Sequence, residues 1–356
     1  MALNETIFLT GFPGFIAGRL VRRLAAGGAR FLLLVQPAFA ARAGAEVARI
    51  VEETGVAPDN FRLVEGDITQ PRLGLSDIDF QITRDETTLL FHLAAVYDLA
   101  VVRDVALRVN VEGTRRVNDF ARLLPKLRRY HYVSTCYVAG QRTGLIREDE
   151  LEHATGFRNF YEETKYLAEL EVEALKPDLP VTIHRPAVVC GDSQTGETAK
   201  YDGIYYLINY LRMQPGLLSL ANIGNRDVRL NVVPVDFVVE SMAALTIDER
   251  ATGVTVQLAD PAPLTTHELF EAIARTLVGH GSRITVPAPL VRTSLTLPRA
   301  EILSRLPRAG VPYFFLDQTY DTTRARALLE PHGVRCPPMT SYIDTLTEFV
   351  ARHPKL

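Results

Sequence analysis

Short apolar runs rich in β-branched residues alternate with segments of helical period through about residue 190. TIFLTG, FLLLVQP, FRLVEGD, TLLFHLAAV, RYHYVST and VTIHRP each have the length of a strand buried on both faces. Between them lie FIAGRLVRRLAAGG, whose glycine pair suits a helix C-terminus, then RDVALRVNVEGTRRVNDFARLL and YEETKYLAELEVEAL. This repetition predicts an α/β fold, a doubly wound parallel sheet covered by helices on both faces. Ligands of such sheets bind beyond the carboxyl ends of the strands, so the residues just after each run are where chemistry is sought.

Beyond residue 190 the pattern turns aromatic and loop-rich in GDSQTGETAKYDGIYYLINYLRM. It returns to strand and helix in RDVRLNVVPVDFVVESMAALTID and VTVQLA, then ends in helical segments broken by prolines. We expect a sheet domain over residues 1–190 and 226–259, and a smaller, mostly helical substrate lobe over 191–225 and 260–356. A chain of 356 residues with 47% hydrophobic content has room for one or two such domains. A net charge of -3, with no dense basic run outside the helix RLVRRL, gives no reason to expect nucleic acid. The N-terminus lacks the basic region and apolar stretch of a signal peptide, and no segment approaches the roughly 18 apolar residues of a membrane span. No membrane span and a cytoplasmic location are therefore expected. Cys136, Cys190 and Cys336 are scattered, without a CxxC pair or histidines at ligand spacing, and read as structural thiols with no metal site.

Chemistry enters at the strand ends. In TGFPGFIAG, Gly11 permits a tight turn, Gly14 lets the backbone approach a pyrophosphate, and a helix from about Phe15 aims its free N–H groups at that charge. Thr10, Gly11, Pro13, Gly14, Phe15 and Ile16 are therefore expected to contact a dinucleotide, with Ala17 where a third glycine is usual. After the second run an acidic residue would hold the ribose 2′-hydroxyl of NAD, but the chain has Gln36; with Arg42 nearby, NADP is favoured and NAD stays possible. Asp67 and Ile68 suit the edge and face of adenine, although Asp67 is equally an ordinary turn residue. Ala94 and Ala95 leave room for a dinucleotide across the fourth strand tip, and Ser134 and Thr135 bring hydroxyls to the fifth. In YEETK, Tyr161 and Lys165 share one helix face. A phenol titrates near 10, and Lys165 with the positive nicotinamide ring is expected to draw it toward neutrality. The 13 tyrosines and the few lysines of the chain give about 0.2 such spacings by chance, and only one occurs.

Taken together these residues resemble the extended short-chain dehydrogenase/reductase family over nearly the whole chain. The resemblance rests on the glycine turn, Asp67, Asn110 in VNVEGT, Thr135, Tyr161, Lys165 and the Arg185–Pro186 pair of HRPAVVCGD, in that order. CGDSQTGET, YDGIYYLI, NVVPVDFV and GFRNFYEETKYLAE look most like the fatty-acyl and thioester reductase, male-sterility-type branch. The resemblance implies a Rossmann-type fold and hydride transfer at nicotinamide, with Tyr161 as acid–base and Thr135 or its neighbour Ser134 polarising the carbonyl. It further implies that Lys165 holds the nicotinamide ribose and aids Tyr161, that Asn110 supports a proton-relay water, and that the backbone after Pro186, through Val188, meets the nicotinamide amide. Cys136 and Tyr137 stand where sugar-nucleotide dehydratases carry Asp-Glu, which disfavours dehydration.

The leading expectation is an NAD(P)-dependent reductase of the carbonyl or acyl thioester of an apolar small molecule. A nucleotide-sugar epimerase is the alternative; a non-catalytic dinucleotide sensor is another, and the Tyr–Lys pair argues against it. Tyr201, Tyr205, Tyr206 and Tyr210 line an apolar channel or pack the small lobe. A homodimer through two long helices of one sheet face is common in the family. His92 and His184 read as packed, and Cys136, lacking a histidine base, as structural. Asp192, Ser193 and Thr195 stand where the lobe begins, with no contact assigned to them.

Overall fold

The computed structural model describes residues 4–213, 215–287, 289–291, 293 and 310–355. Thirteen strands run in chain order among them: β1 (Thr6–Thr10), β2 (Arg30–Val35), β3 (Phe61–Glu65), β4 (Leu89–His92), β5 (Arg129–Val133), β6 (Gly144–Ile146), β7 (Val181–Pro186), β8 (Val188–Cys190), β9 (Ala221–Asn222), β10 (Val232–Pro234), β11 (Thr255–Leu258), β12 (Ile284–Thr285) and β13 (Gln318–Tyr320). Seven of these form one sheet in the order β11-β7-β5-β4-β1-β2-β3, with every pairing parallel. The strand order reverses between β1 and β4, and this switch point is where a doubly wound sheet opens a crevice for a ligand.

Side-chain alternation along β1 and β2, with a core on each face, explains their near-continuous apolar sequence. Ile7 and Leu9 of β1, with Leu33 and Val35 of β2, enter one core, while Phe8 of β1 and Leu32 and Leu34 of β2 enter another on the opposite face. The first core is covered by α1 (Phe15–Ala25) and α2 (Ala40–Thr54). The second is covered by α3 (Asp77–Glu86), α5 (Gly113–Ala121) and α6 (Phe160–Glu173), and the short α4 (Arg103–Ala106) packs on α6. One departure from the expectation of doubly buried strands is β3, where Arg62 and Leu63 are exposed because it forms the sheet's edge. The segment read as one helix over residues 103–124 is interrupted by a π-helical turn, Leu107–Glu112, that carries Asn110. Such turns insert one residue into the helical ladder and often mark functional sites.

A third cluster gathers β8 and β10 with α7 (Ile204–Met213), α10 (Thr266–Val278) and the helix Ile343–Arg352. The short α8 (Pro215–Leu218) follows α7, and α9 (Val235–Ile247) packs on α1. Late in the chain β13 pairs with β6, and the helix Thr323–Leu329 sends Ala325, Leu328 and Leu329 into the first core. Part of the stretch expected as substrate lobe thus packs against the sheet half, while residues 294–309 of it lie outside those described. Among the described residues no helix is long and apolar enough to cross a membrane, and no group of three potential ligands could hold a metal ion.

Candidate active site

The glycine turn sits at the switch point. Gly11 has φ +94, and a Cβ there would lie 2.8 Å from the backbone nitrogen of Ala94, so only glycine lets β1 and the tip of β4 approach this closely. The Gly14 N–H donates to the Gly11 carbonyl at 2.8 Å, closing the turn. Gly14 caps α1 without any side-chain hydrogen bond, and the first turn of α1 holds no acidic residue, so its N–H groups are left for an anion. Pro13 is buried and accepts at its carbonyl from Arg42 Nη2 at 3.0 Å, which brings that exposed guanidinium beside the turn. Phe15 and Ile16 are half-buried on the first helical turn, and Gln36 is exposed past β2.

Thr10 departs from its expected role. Its hydroxyl accepts from the Ala94 N–H at 3.2 Å and lies 2.7 Å from Nδ1 of His92, so the side chain ties β1 to β4 instead of facing a dinucleotide. The Thr114 hydroxyl donates to the Asn110 carbonyl and lies 3.0 Å from Nε2 of His92, which leaves the proton on Nε2 and satisfies both ring nitrogens. Burial pushes His92 down to about 3, so it stays neutral. Asp67 accepts from the Thr69 N–H at 2.7 Å, as a turn aspartate does, while Ile68 is buried against Gly113. Ala94 is half-buried and Ala95 exposed.

At the end of β5 the two hydroxyls part company. Ser134 is buried and donates to Glu169, so it belongs to an internal ion pair. Thr135 accepts from the Tyr137 N–H at 3.2 Å and reaches the phenol of Tyr161. Asn159 caps α6 by accepting from the Glu162 N–H at 3.0 Å, and Tyr161 follows in the first turn. Burial pushes the Tyr161 phenol up, Thr135 draws it partly back, and Glu162 and Asp202 add to the rise. The expected pull from Lys165 is not what the structure holds. Its ammonium donates to Tyr132 Oη at 2.9 Å and to the Val133 carbonyl at 2.8 Å, and lies 4.4 Å above the Tyr132 ring. Asn110 is likewise occupied: its side chain accepts from the Val96 N–H at 2.8 Å and donates to Thr164 at 3.0 Å, bracing α6 against the β4 tip.

Burial also pulls Lys165 down to about 7 from 10.5, against the opposing effect of Glu169. Between those values the unfolded chain binds a proton that the folded chain has released, so this group's contribution to stability rises with pH from about 7 to 10.5, and its full cost is carried below 7. The stability difference between Lys165→Met and wild type is therefore expected to favour the variant most at pH 6 and to shrink by pH 9. Urea unfolding at both pH values measures it; an unchanged difference contradicts the shift.

A cleft opens beside this cluster. Tyr97, Tyr137, Tyr206, Tyr313 and Phe314 give it an aromatic lining, with Val188 and Leu230 among its apolar walls. Tyr97 meets Tyr161 edge to face at 5.1 Å, so one wall of the cleft touches the Tyr161 ring. Tyr313 meets the Tyr137 ring at a 40° tilt, 4.6 Å between centroids, donates to the fully buried Glu162 at 2.6 Å, and accepts from Asn159 at 2.7 Å. One wall of the cleft is thereby fastened to the start of the helix carrying Tyr161.

The NAD-binding family described as "Male sterility protein" has a model that matches residues 9–242. The chain belongs to that family. It is a thioester-reductase-like member of the extended short-chain dehydrogenases/reductases, and a nicotinamide dinucleotide is its cofactor. A linear gramicidin synthase of Brevibacillus parabrevis is 27% identical over 216 residues, 59% of this chain and 4% of that protein. The Drosophila melanogaster fatty acyl-CoA reductase wat is 24% identical over 278 residues, 68% of this chain and 54% of that protein. A solved structure, the terminal R domain from the myxalamid PKS-NRPS biosynthetic pathway, superimposes with a TM-score of 0.81 at 26% identity, covering 100% of this chain and 93% of that one. The chain spans only 4%, 22% and 54% of the length of three such curated relatives.

Several other expectations for this male sterility family member are resolved by its packing. Of the tyrosine stripe only Tyr206 lines the cleft; Tyr205 accepts from the Gly191 N–H at 2.7 Å, Tyr201 donates to the His353 carbonyl, and Tyr210 packs on the lobe's core. Asp192 accepts from Thr195 and Gln194 N–H groups and pairs with Arg19, and Ser193 bonds Asp236, so the three loop residues are structural. His184 bonds His131 at 2.9 Å within the sheet, and Cys136 donates to the Arg185 carbonyl. Pro186 ends β7 buried beside Leu258. The cleft residues Tyr97 and Asp98 follow Ala94 and Ala95 after one valine and were open to the same strand-end reading; Tyr313 carries no local signal.

Proposed function

We propose that the chain reduces an acyl thioester with NADPH, releasing a thiol and an aldehyde. The reading is carried by the Thr135–Tyr161 hydroxyl pair, whose phenol ring abuts Tyr97 of an aromatic cleft, together with the uncapped turn at Gly14. The residues fit a nicotinamide dinucleotide: the glycine turn and α1 suit its pyrophosphate, and the Lys165 ammonium keeps one N–H beyond its two protein bonds for the nicotinamide ribose. When bound, the reduced nicotinamide supplies a hydride to the carbonyl carbon. Thr135 donates a hydrogen bond to the carbonyl oxygen, and Tyr161 delivers the proton to it. Burial keeps the phenol protonated, which is the form a proton donor needs. The hemithioacetal hydroxyl then returns its proton to the Tyr161 phenolate as the carbon–sulfur bond breaks, so the aldehyde carbonyl forms and sulfur leaves as a thiolate that takes a proton from water.

Relatives named as a fatty acyl-CoA reductase and an L-2-aminoadipate reductase support this reading. A nucleotide-sugar epimerase needs room for a diphosphate, whereas the cleft carries Asp98 and Asp202 against a single Lys200. The test is NADPH oxidation followed by absorbance with a panel of acyl thioesters, aldehydes and ketones; failure with all of them rejects reduction and favours a binding role.

NADP is proposed over NAD because β2 ends at exposed Gln36, without a carboxylate, and Arg42 is held beside the pyrophosphate turn. Arg42→Ala is expected to weaken NADPH about tenfold while leaving NADH nearly unchanged, as loss of one charge-assisted bond requires. Fluorescence titration with both nucleotides measures this, and equal losses remove the assignment.

A further inference from the structure

Five aromatic rings and an excess of negative charge make an unusual lining for a cleft meant only for an acyl chain. Asp202 is the central feature. Its side chain is 14% exposed, and its ion partner among the described residues is Lys200, 3.5 Å away, whose own side chain is 60% exposed. That ammonium also lies 5.4 Å over the Tyr97 ring, and Tyr97 in turn abuts Tyr161. A cation therefore already rests between a carboxylate and an aromatic face at the mouth of the cleft, on a flexible side chain that water can reclaim at little cost.

We infer that the cleft selects acyl groups bearing a protonated amine, with Asp202 as the specificity-determining carboxylate and Tyr97 and Tyr206 as the rings that receive the cation. A substrate ammonium takes the place of the Lys200 ammonium, which swings into solvent. The exchange is favourable because the incoming group is enclosed, where attraction to a carboxylate and to aromatic faces is stronger than at the surface. Burial raises the carboxyl of Asp202, the direction expected for a carboxylate that Lys200 compensates only in part. Tyr97 meets both the Lys200 ammonium, at 5.4 Å, and the Tyr161 ring, at 5.1 Å, so an amine in the place of that ammonium lies one ring away from the phenol. A carboxylate-bearing or phosphate-bearing acyl group meets Asp98 and Asp202 and is excluded, a repulsive element as useful to selectivity as the attraction.

This inference rests on the proposed thioester reduction, and the experiment separates the two. N-acetylcysteamine thioesters of equal length, ending in an ammonium, a methyl or a carboxylate, are compared by kcat/KM for NADPH oxidation with wild type, Asp202→Asn and Lys200→Ala. Wild type is expected to prefer the ammonium over the methyl ester about tenfold, Asp202→Asn to bring that ratio near one, and Lys200→Ala, on an exposed side chain, to raise it. A wild-type preference for the methyl ester, or a ratio unchanged in both variants, overturns the inference while leaving thioester reduction standing. If no thioester is turned over, reduction fails by itself, and calorimetric titration of the same ligands decides recognition: tighter binding of the ammonium ester that Asp202→Asn abolishes supports it, and equal binding overturns it.

Discussion

Tyr161→Phe is expected to lower kcat for the proposed reduction by about 10²–10⁴ while leaving the affinity for NADPH within twofold. The substitution removes one oxygen and keeps the ring, so the edge-to-face contact with Tyr97 at 5.1 Å survives and the aromatic wall of the cleft is preserved. Thr135 still offers its hydroxyl to the carbonyl oxygen, and this leaves electrostatic help without a proton source. The loss therefore belongs in kcat and not in KM, because the missing proton is transferred only as the alkoxide forms. The residue lies in the first turn of α6, fixed by the Asn159 cap and by Tyr313 on Glu162, so the variant is expected to fold. Stopped-flow NADPH oxidation with saturating thioester gives the rate, and cofactor titration gives the affinity. A variant with wild-type kcat means that the proton comes from elsewhere and the assignment of Tyr161 is wrong.

How much of this was readable in the sequence depended on the range of the interactions involved. The central strands were legible because both faces are buried, so most positions along them are apolar; β3 escaped the rule because the edge position is set by strand order, which periodicity does not encode. Thr135, Tyr161 and Lys165 were legible because a strand end and one helix face place them without long-range information. The directions of their neighbours were not. The Thr10 hydroxyl is engaged by a histidine 82 residues away, and that of Ser134 by a glutamate 35 residues away, partners that strand-end position alone does not reveal. The same limit hid the cleft. Tyr313 reaches Glu162 from 151 residues downstream, and only the return of the chain after the lobe brings it to the catalytic helix. The tyrosine stripe left channel and packing open for the converse reason: a run of aromatics at helical spacing fills whatever it packs against, and here three of the four pack inside the lobe.

Glu169→Ala is expected to destabilise the fold by about 3–5 kcal/mol, since it strands a buried charge. Tyr161, Lys165 and Glu169 lie at successive four-residue steps on α6, and the third anchors the other two to the sheet. One carboxylate oxygen of Glu169 accepts from Arg185 Nε at 2.7 Å and Nη2 at 2.5 Å, while the other accepts from Ser134. Both ionic side chains are almost wholly enclosed, at 0% and 2% exposure, so water cannot take over when the carboxylate goes. The remaining Arg185 bonds, to the carbonyls of Glu150 at 3.0 Å and Glu148 at 3.4 Å, orient the guanidinium without neutralising it. Replacing both partners by apolar residues removes the charge along with its counterion, so Glu169→Leu with Arg185→Met is expected to cost less than Glu169→Ala alone. Urea unfolding of the variants measures the differences. A loss below about 1 kcal/mol in Glu169→Ala means that the pair is reached by solvent and that α6 is held to the sheet by its apolar contacts.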